Sequence, residues 1–154
     1  MKPYLWFVCG AVLAALGVAN GAFAAHGLEA RLLSLYDDHS LVPARLAQYE
    51  TGVRYQMYHA LGLVVVGLAA ARKNSPLWML AGFCFLLGII VFSGLLYLLV
   101  VTNNTQLGRI VPIGGVAFIV GWLALAAGAP SGFAPSPAGA ERASPSPSRP
   151  SDDA

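Results

Sequence analysis

With 57% of its 154 residues hydrophobic and only 10% charged, the chain lies far from the roughly 25% charged residues of soluble domains and sits with membrane proteins. A mean hydropathy of +0.67 agrees. A net charge of +2 without any basic run gives no sign of a nucleic-acid partner, and the length suits one domain.

The first apolar run, Tyr4 to Ala25, is long enough for a bilayer, which takes about 20 residues. Gly17 and Gly21 within it have the spacing that lets helix backbones approach closely. Lys2, the apolar run and "AFAA" also imitate a secretory signal, with Ala22 and Ala24 ahead of a cut; the length of the run and its paired glycines favour a retained span. Residues 26–52 then hold Glu29, Asp37, Asp38 and Glu50, all the acidic residues before the C-terminal tail. In "GLEARLLSLY", Leu28, Leu32, Leu35 and Tyr36 fall near one helical face, as in a short helix lying at the membrane interface. Pro43 suits a first helical turn, where its missing N–H costs nothing. From there "ARLAQYETGVRYQMYHALGL" reads as one helix that becomes a second span, Val53 to Ala71, with Glu50 and Arg54 four apart and able to pair.

A third span, Leu77 to Val101, follows after only "RKNSP", and a fourth, Ile110 to Ala127, after "TNNTQLGR". Connections this short make neighbouring spans antiparallel. The expected architecture is therefore an all-α integral membrane four-helix bundle over residues 1–128, with spans at about 4–25, 53–71, 77–101 and 110–127. Residues 129–154 carry six of the ten prolines and too little apolar bulk to offset chain entropy, so they read as a disordered tail. Trp6, Trp78 and Trp122, near span ends, read as interfacial anchors. Four spans put Lys2, Arg72, Lys73, Arg142 and Arg149 on one side and Arg31, Arg45, Arg54 and Arg109 on the other. Arg72 and Lys73, in the shortest loop, favour cytoplasmic termini.

The polar residues within the spans are one-sided. His59 lies roughly 9 Å below the start of span two at 1.5 Å per residue, and Asn20, Ser93 and Tyr97 share that half of the bilayer. His26 stands at the exit of span one as a candidate cap, and Pro112, Gly114 and Gly115 open span four on the same side. At 100° per residue, Arg54, Tyr55, Tyr58, His59 and Gly62 occupy one arc and Val53, Met57, Ala60, Leu61, Val64 and Leu68 the opposite face. Lipid offers no hydrogen bonds, so the polar arc is expected to turn toward the bundle. The cluster is then either packing glue across helices or a ligand or transport site centred on His59, with Arg54 and Glu50 as charge partners. Cys9 and Cys84 sit in apolar runs, without CxxC or a histidine at ligand spacing, and read as small buried hydrophobes; no metal and no cofactor is expected. No GxSxG, HExxH, P-loop or GxGxxG occurs, which weighs against an enzyme.

The segments "GAFAAHGL", "YETGVRYQMYHALGL", "FSGLLYLL" and "GRIVPIGGVAFIVGW" occur in the order seen in the YgdD-like family, which the chain resembles over roughly Gly17 to Ala127. These are small bacterial inner-membrane proteins catalogued as a domain of unknown function. The resemblance implies four spans and an inner-membrane location, with no established activity, cofactor or catalytic residue. Carried over by position, the motif residues are His26, Gly27, Glu50, Arg54, Tyr55, Tyr58, His59, Ser93, Tyr97, Pro112, Gly114 and Gly115. Ala25 stands where the family generally has glycine, which puts a tight turn at the exit of span one in doubt. The leading expectation is a non-enzymatic membrane protein that supports or assembles with other membrane components. Its partners would be the bilayer, a lipid headgroup, other membrane proteins or further copies of the chain. The alternative is a small transporter or channel-like protein using the His59 cluster.

Overall fold

The structure, a computed structural model, describes residues 2–72 and 75–133. Every regular element among the described residues is helical. Helix α1, Pro3–His26, starts on a proline whose missing N–H belongs to the unpaired first turn. It stops at Gly27, whose N–H donates to the Phe23 carbonyl at 2.9 Å. Ala25 stays helical, and the exit turn of α1 falls at Gly27. Helix α2, Leu28–Leu35, follows at once. A 3₁₀ turn, His39–Leu41, is capped by Asp38 Oδ1 accepting the Ser40 N–H at 3.0 Å. It leads into α3, Val42–Arg72, one continuous helix with Pro43 in its first turn, as expected. Helix α4, Pro76–Gly88, a π-helical stretch, Ile89–Gly94, and α5, Leu95–Thr102, form a single rod. Asn103, left-handed at φ 52°, ends it. A 3₁₀ turn, Thr105–Arg109, then gives way to α6, Val111–Phe133. Helix α6 thus continues past residue 129, where the tail was expected to begin. The rest of that expected tail lies outside the described residues, as does Lys73.

Among the described residues, three segments are long and apolar enough to cross a membrane: Pro3–His26, Pro76–Thr102 and Thr105–Ala129. They correspond to the first, third and fourth expected spans. The second corresponds to the later part of α3, which is not among the three because Arg54, Gln56 and His59 interrupt its apolar stretch.

Shape complementarity holds the helices together. In lipid, apolar burial drives no association between helices, so close backbone approach and ring packing matter most. α1 lies antiparallel along α3. A Cβ added at Gly10 would come within 2.6 Å of the Ala60 carbonyl oxygen, and one at Gly67 within 2.7 Å of the Phe7 backbone nitrogen. Gly17 faces Met57 and Gln56, and Gly21 faces Val53, in the same register. α6 meets the α4–α5 rod through a ladder in which each glycine seats a ring from across the interface. Phe118 lies on Gly88, Phe85 on Gly121 and Trp78 on Gly128, while Gly114 lets the Phe92 backbone approach to 2.5 Å of its would-be Cβ. Trp6 of α1 seats on Gly82 in the same way.

This packing corrects the expected role of two tryptophans. Trp6 and Trp78 are buried, Trp78 Nε1 donating to the Leu125 carbonyl at 3.2 Å, because glycines opposite them give the indoles space inside the bundle. Trp122 alone of the three is exposed. At the other end of the bundle, α2 folds over the helix ends. Leu28, Leu32 and Tyr36 are buried in a cluster with Ala24, Val42, Tyr49, Leu99 and Val100, and the Tyr36 hydroxyl donates to the Val100 carbonyl at 2.8 Å. Leu35, expected on that face, is exposed.

The register between α1 and α3 yields a test. Gly10→Ala places a methyl against backbone and is expected to destabilise the protein in detergent by roughly 1–3 kcal/mol, read from thermal or SDS unfolding. Gly94→Ala, whose added Cβ meets nothing nearer than 3.8 Å, should change stability by less than about 0.5 kcal/mol.

Candidate functional site

The buried stripe of α3 runs through Tyr49, Gly52, Gln56, His59, Ala60, Leu63, Val66, Gly67 and Ala70. This divides the polar arc expected to face the bundle. His59 and Gly62 turn inward, but Arg54 is exposed and Tyr58 is 56% exposed. Ala60, expected on the lipid face, is fully buried. The reason is that α3 has neighbours on two sides, α1 on one and the α4–α5 rod on the other, so its buried surface is wider than a single stripe. Glu50 and Arg54 form no ion pair; the Arg54 guanidinium reaches Thr51 Oγ1 at 3.5 Å instead.

Gln56, which the motif reading passed over, is the polar centre of the bundle. It is 4% exposed. Its Nε2 donates to the Leu13 carbonyl of α1 at 2.8 Å, and its Oε1 accepts the Tyr97 hydroxyl of α5 at 2.8 Å. Asn20 Nδ2 approaches the same oxygen at 3.5 Å, and Asn20 Oδ1 accepts from the Tyr49 hydroxyl at 3.4 Å. The Tyr49 and Tyr97 rings lie 4.5 Å apart above the amide, where Gly52 leaves room for Tyr97. Of the expected cluster, Asn20 and Tyr97 therefore join one network. The signal that could have found Gln56 is a glutamine on the line of small and apolar residues at 52, 60 and 63, three or four residues from each neighbour.

His59 stands apart from that network. It is 5% exposed, and its Nδ1 lies 2.7 Å from the Tyr55 carbonyl of its own helix. The imidazole stacks on Phe118, centroids 3.4 Å apart and planes 10° from parallel, with Phe85 and Trp122 nearby. Tyr55 packs on Phe92 at 4.7 Å. Ser93 is fully buried in the π-helical stretch, and its Oγ has no partner among the described residues, so it does not join Asn20, His59 and Tyr97 as expected. His26 occupies the last turn of α1 with its side chain exposed, while the Gly27 N–H closes that turn.

Tyr55, Tyr58 and His59 of α3, Phe92 of the rod, and Pro112, Gly115, Val116, Phe118, Ile119 and Trp122 of α6 line a groove of about 650 Å³. Val116 and Ile119 are themselves more than half exposed, so the open side of the groove lies along the outer face of α6. The adjacent glycines of the "PIGG" segment divide the work. Gly114 admits the Phe92 backbone, whereas an added Cβ at Gly115 approaches nothing closer than Phe92 ring carbons at 3.8 Å. A smaller notch of about 270 Å³ lies between α1 and α3 beside Gly21, Ala24, Ala25, Glu50, Val53 and Arg54. Among the described residues no three His, Cys, Asp or Glu side chains converge as metal ligands would.

A further residue outside the motif set ties the same end together. Arg45 donates to Gln48 Oε1 and to Asn103 Oδ1, both at 2.9 Å, with its guanidinium 5.9 Å from the Tyr36 ring centre. It joins the start of α3 to the loop after α5.

Removing the central amide tests the network. Gln56→Leu leaves the Tyr97 hydroxyl and the Asn20 amide without their shared acceptor and should cost about 1–3 kcal/mol in detergent unfolding. Asn20→Leu, which breaks only the two longer contacts, should cost less. A double-mutant cycle of Gln56→Leu with Tyr97→Phe is expected to show coupling between the two positions.

Residues 20–115 match the family described as "Protein of unknown function (DUF423)". The UPF0382 membrane protein YwdK of Bacillus subtilis is 44% identical over 124 residues, 80% of this chain and 92% of that protein. The UPF0382 membrane protein SH2409 of Staphylococcus haemolyticus is 41% identical over 122 residues, covering 79% and 91%. A UPF0382 membrane protein of Haemophilus influenzae is 40% identical over 111 residues, covering 72% and 82%. No solved structure matches. The chain is a membrane protein and belongs to this DUF423, or UPF0382, family of unknown function.

Proposed function

We propose that this protein is a non-enzymatic, four-span component of the bacterial inner membrane that supports or assembles with other membrane components. One observation carries the reading: the buried Gln56 amide is engaged by Leu13, Asn20 and Tyr97 from two other helices. Such an arrangement fixes how helices pack. The α1–α3 register supports α3 as the second span, beside the other three. Gly67 meets Phe7 and Gly21 meets Val53, so residues 53–67 of α3 cover the same membrane thickness as residues 7–21 of α1. The termini are cytoplasmic in this reading, with Arg72 beside the shortest connection. The partners are the bilayer, its headgroups near Arg54 and Glu50, and other membrane proteins, including further copies of the chain.

The competing transport reading uses His59, which is stacked on Phe118 rather than linked to the Gln56 network. Proteoliposomes carrying the full chain should show proton and ion flux no greater than empty vesicles, and purification from native membranes should retain a lipid or membrane-protein partner at stoichiometric level. A flux above background that His59→Ala abolishes would give the site to transport. A C-terminal fluorescent-protein fusion should be bright, as it is only when folded in the cytoplasm.

A further inference from the structure

The groove along α3 and α6 has a property that packing does not explain. A backbone carbonyl can only accept a hydrogen bond, so the 2.7 Å contact with the Tyr55 oxygen requires the proton on His59 Nδ1. In the neutral ring Nε2 is then a bare acceptor. It has no hydrogen-bond partner among the described residues, although the side chain is 5% exposed and lines the groove. An acceptor without a donor, open only to a groove in hydrocarbon, is a cost that a ligand with a hydroxyl would remove.

The walls define the rest of the ligand. Tyr55, Phe92, Phe118 and Trp122 present aromatic faces and edges, which favour a flat ring over an aliphatic chain. The volume of about 650 Å³ falls within the range of roughly 300–1,000 Å³ usual for small-molecule sites. Pro112 to Trp122 spans about 15 Å of helix, enough for a ring and the first part of a tail. The open side beside Val116 and Ile119 lets the remainder lie in the bilayer. His59, roughly 9 Å below the start of the span, is too deep for a phospholipid headgroup.

We propose that this groove binds a bilayer-dissolved molecule whose flat ring carries a hydroxyl, of the prenylated hydroquinone class. The ring lies among Tyr55, Phe92 and Trp122, and the hydroxyl donates to His59 Nε2. The interaction is binding alone, with no electron transfer. It does not depend on the Gln56 network, nor on what else the protein assembles with.

The test uses the full chain in phosphatidylcholine nanodiscs under anaerobic conditions, with Trp122 fluorescence as the reporter and Trp122→Phe as background. A short-chain prenyl hydroquinone is expected to quench saturably, and its dimethyl ether, which keeps the ring and loses the donor, to bind about five- to tenfold more weakly. His59→Phe keeps the stacking on Phe118 and should bring the two affinities together. Gly115→Leu has room to fold, given the 3.8 Å clearance to Phe92, and should abolish saturable quenching by filling the groove. Equal affinities for hydroquinone and ether in the unaltered protein would overturn the proposal without any variant. So would a preference that survives His59→Phe, or saturable binding untouched by Gly115→Leu. A photoreactive residue at the lipid-exposed position 116 should label the hydroquinone; a crosslinked dimer in its place would assign the groove to a second copy.

Discussion

Rings seated on glycines determine how this bundle is put together. A leucine gains nothing by leaving lipid for another helix, so apolar sequence alone leaves the arrangement of spans undetermined. The seats of Phe118 on Gly88, Phe85 on Gly121 and Trp78 on Gly128 allow one antiparallel register between α6 and the rod. Sliding either helix by a turn would drive rings into backbone. The α1–α3 pair follows the same logic with backbone in place of rings, at Gly10 and Gly67. Once these two pairs are set, Trp6 on Gly82 and Phe85 against Gly62 join them.

The polar residues depend on that frame. The Gln56 amide can reach the Leu13 carbonyl only because Gly17 and Gly10 bring α1 close, and it meets Tyr97 because Gly52 leaves space for the ring. The network sits between two apolar clusters, one built around Phe85 and the other around Leu28 and Leu32 under α2. Fixed dipoles in such a layer favour one helix arrangement over near alternatives more than they add stability. The aromatic surroundings of His59 share α3 and the rod with that layer but take α6 in place of α1, and they open along the outer face of α6. A membrane protein of this size thus carries a closed polar layer and an open aromatic groove a single helical turn apart.

Much of the architecture was legible in the amino-acid sequence because length and hydropathy report directly on the bilayer. The helical class, the short helix over residues 28–35, the helix with Pro43 in its first turn and the one-sided distribution of polar groups follow from those signals. Helical phase was less legible. Assigning a polar arc on α3 to the bundle assumed one buried face, but a helix with neighbours on both sides buries Ala60 and Gln56 and exposes Arg54 and Tyr58. Trp6 and Trp78 were misplaced for a related reason. An indole near a span end is an anchor unless a glycine faces it, and which glycine faces it is a matter of tertiary register. The groove was partly legible: Tyr55, Tyr58, His59, Pro112 and Gly115 were all marked as motif residues, but their convergence with Phe92, Phe118 and Trp122 depends on the crossing of α3 and α6.

Gly114 and Gly115 look interchangeable in the chain and are not interchangeable in space. The first is bound to the Phe92 backbone, so any side chain there separates α6 from the rod. The second faces an opening, and a side chain there changes only the width of that opening. A change at one of these adjacent positions therefore acts on the fold, and at the other on the groove. A larger side chain at position 115 narrows the groove while the packing of the bundle around it stays in place.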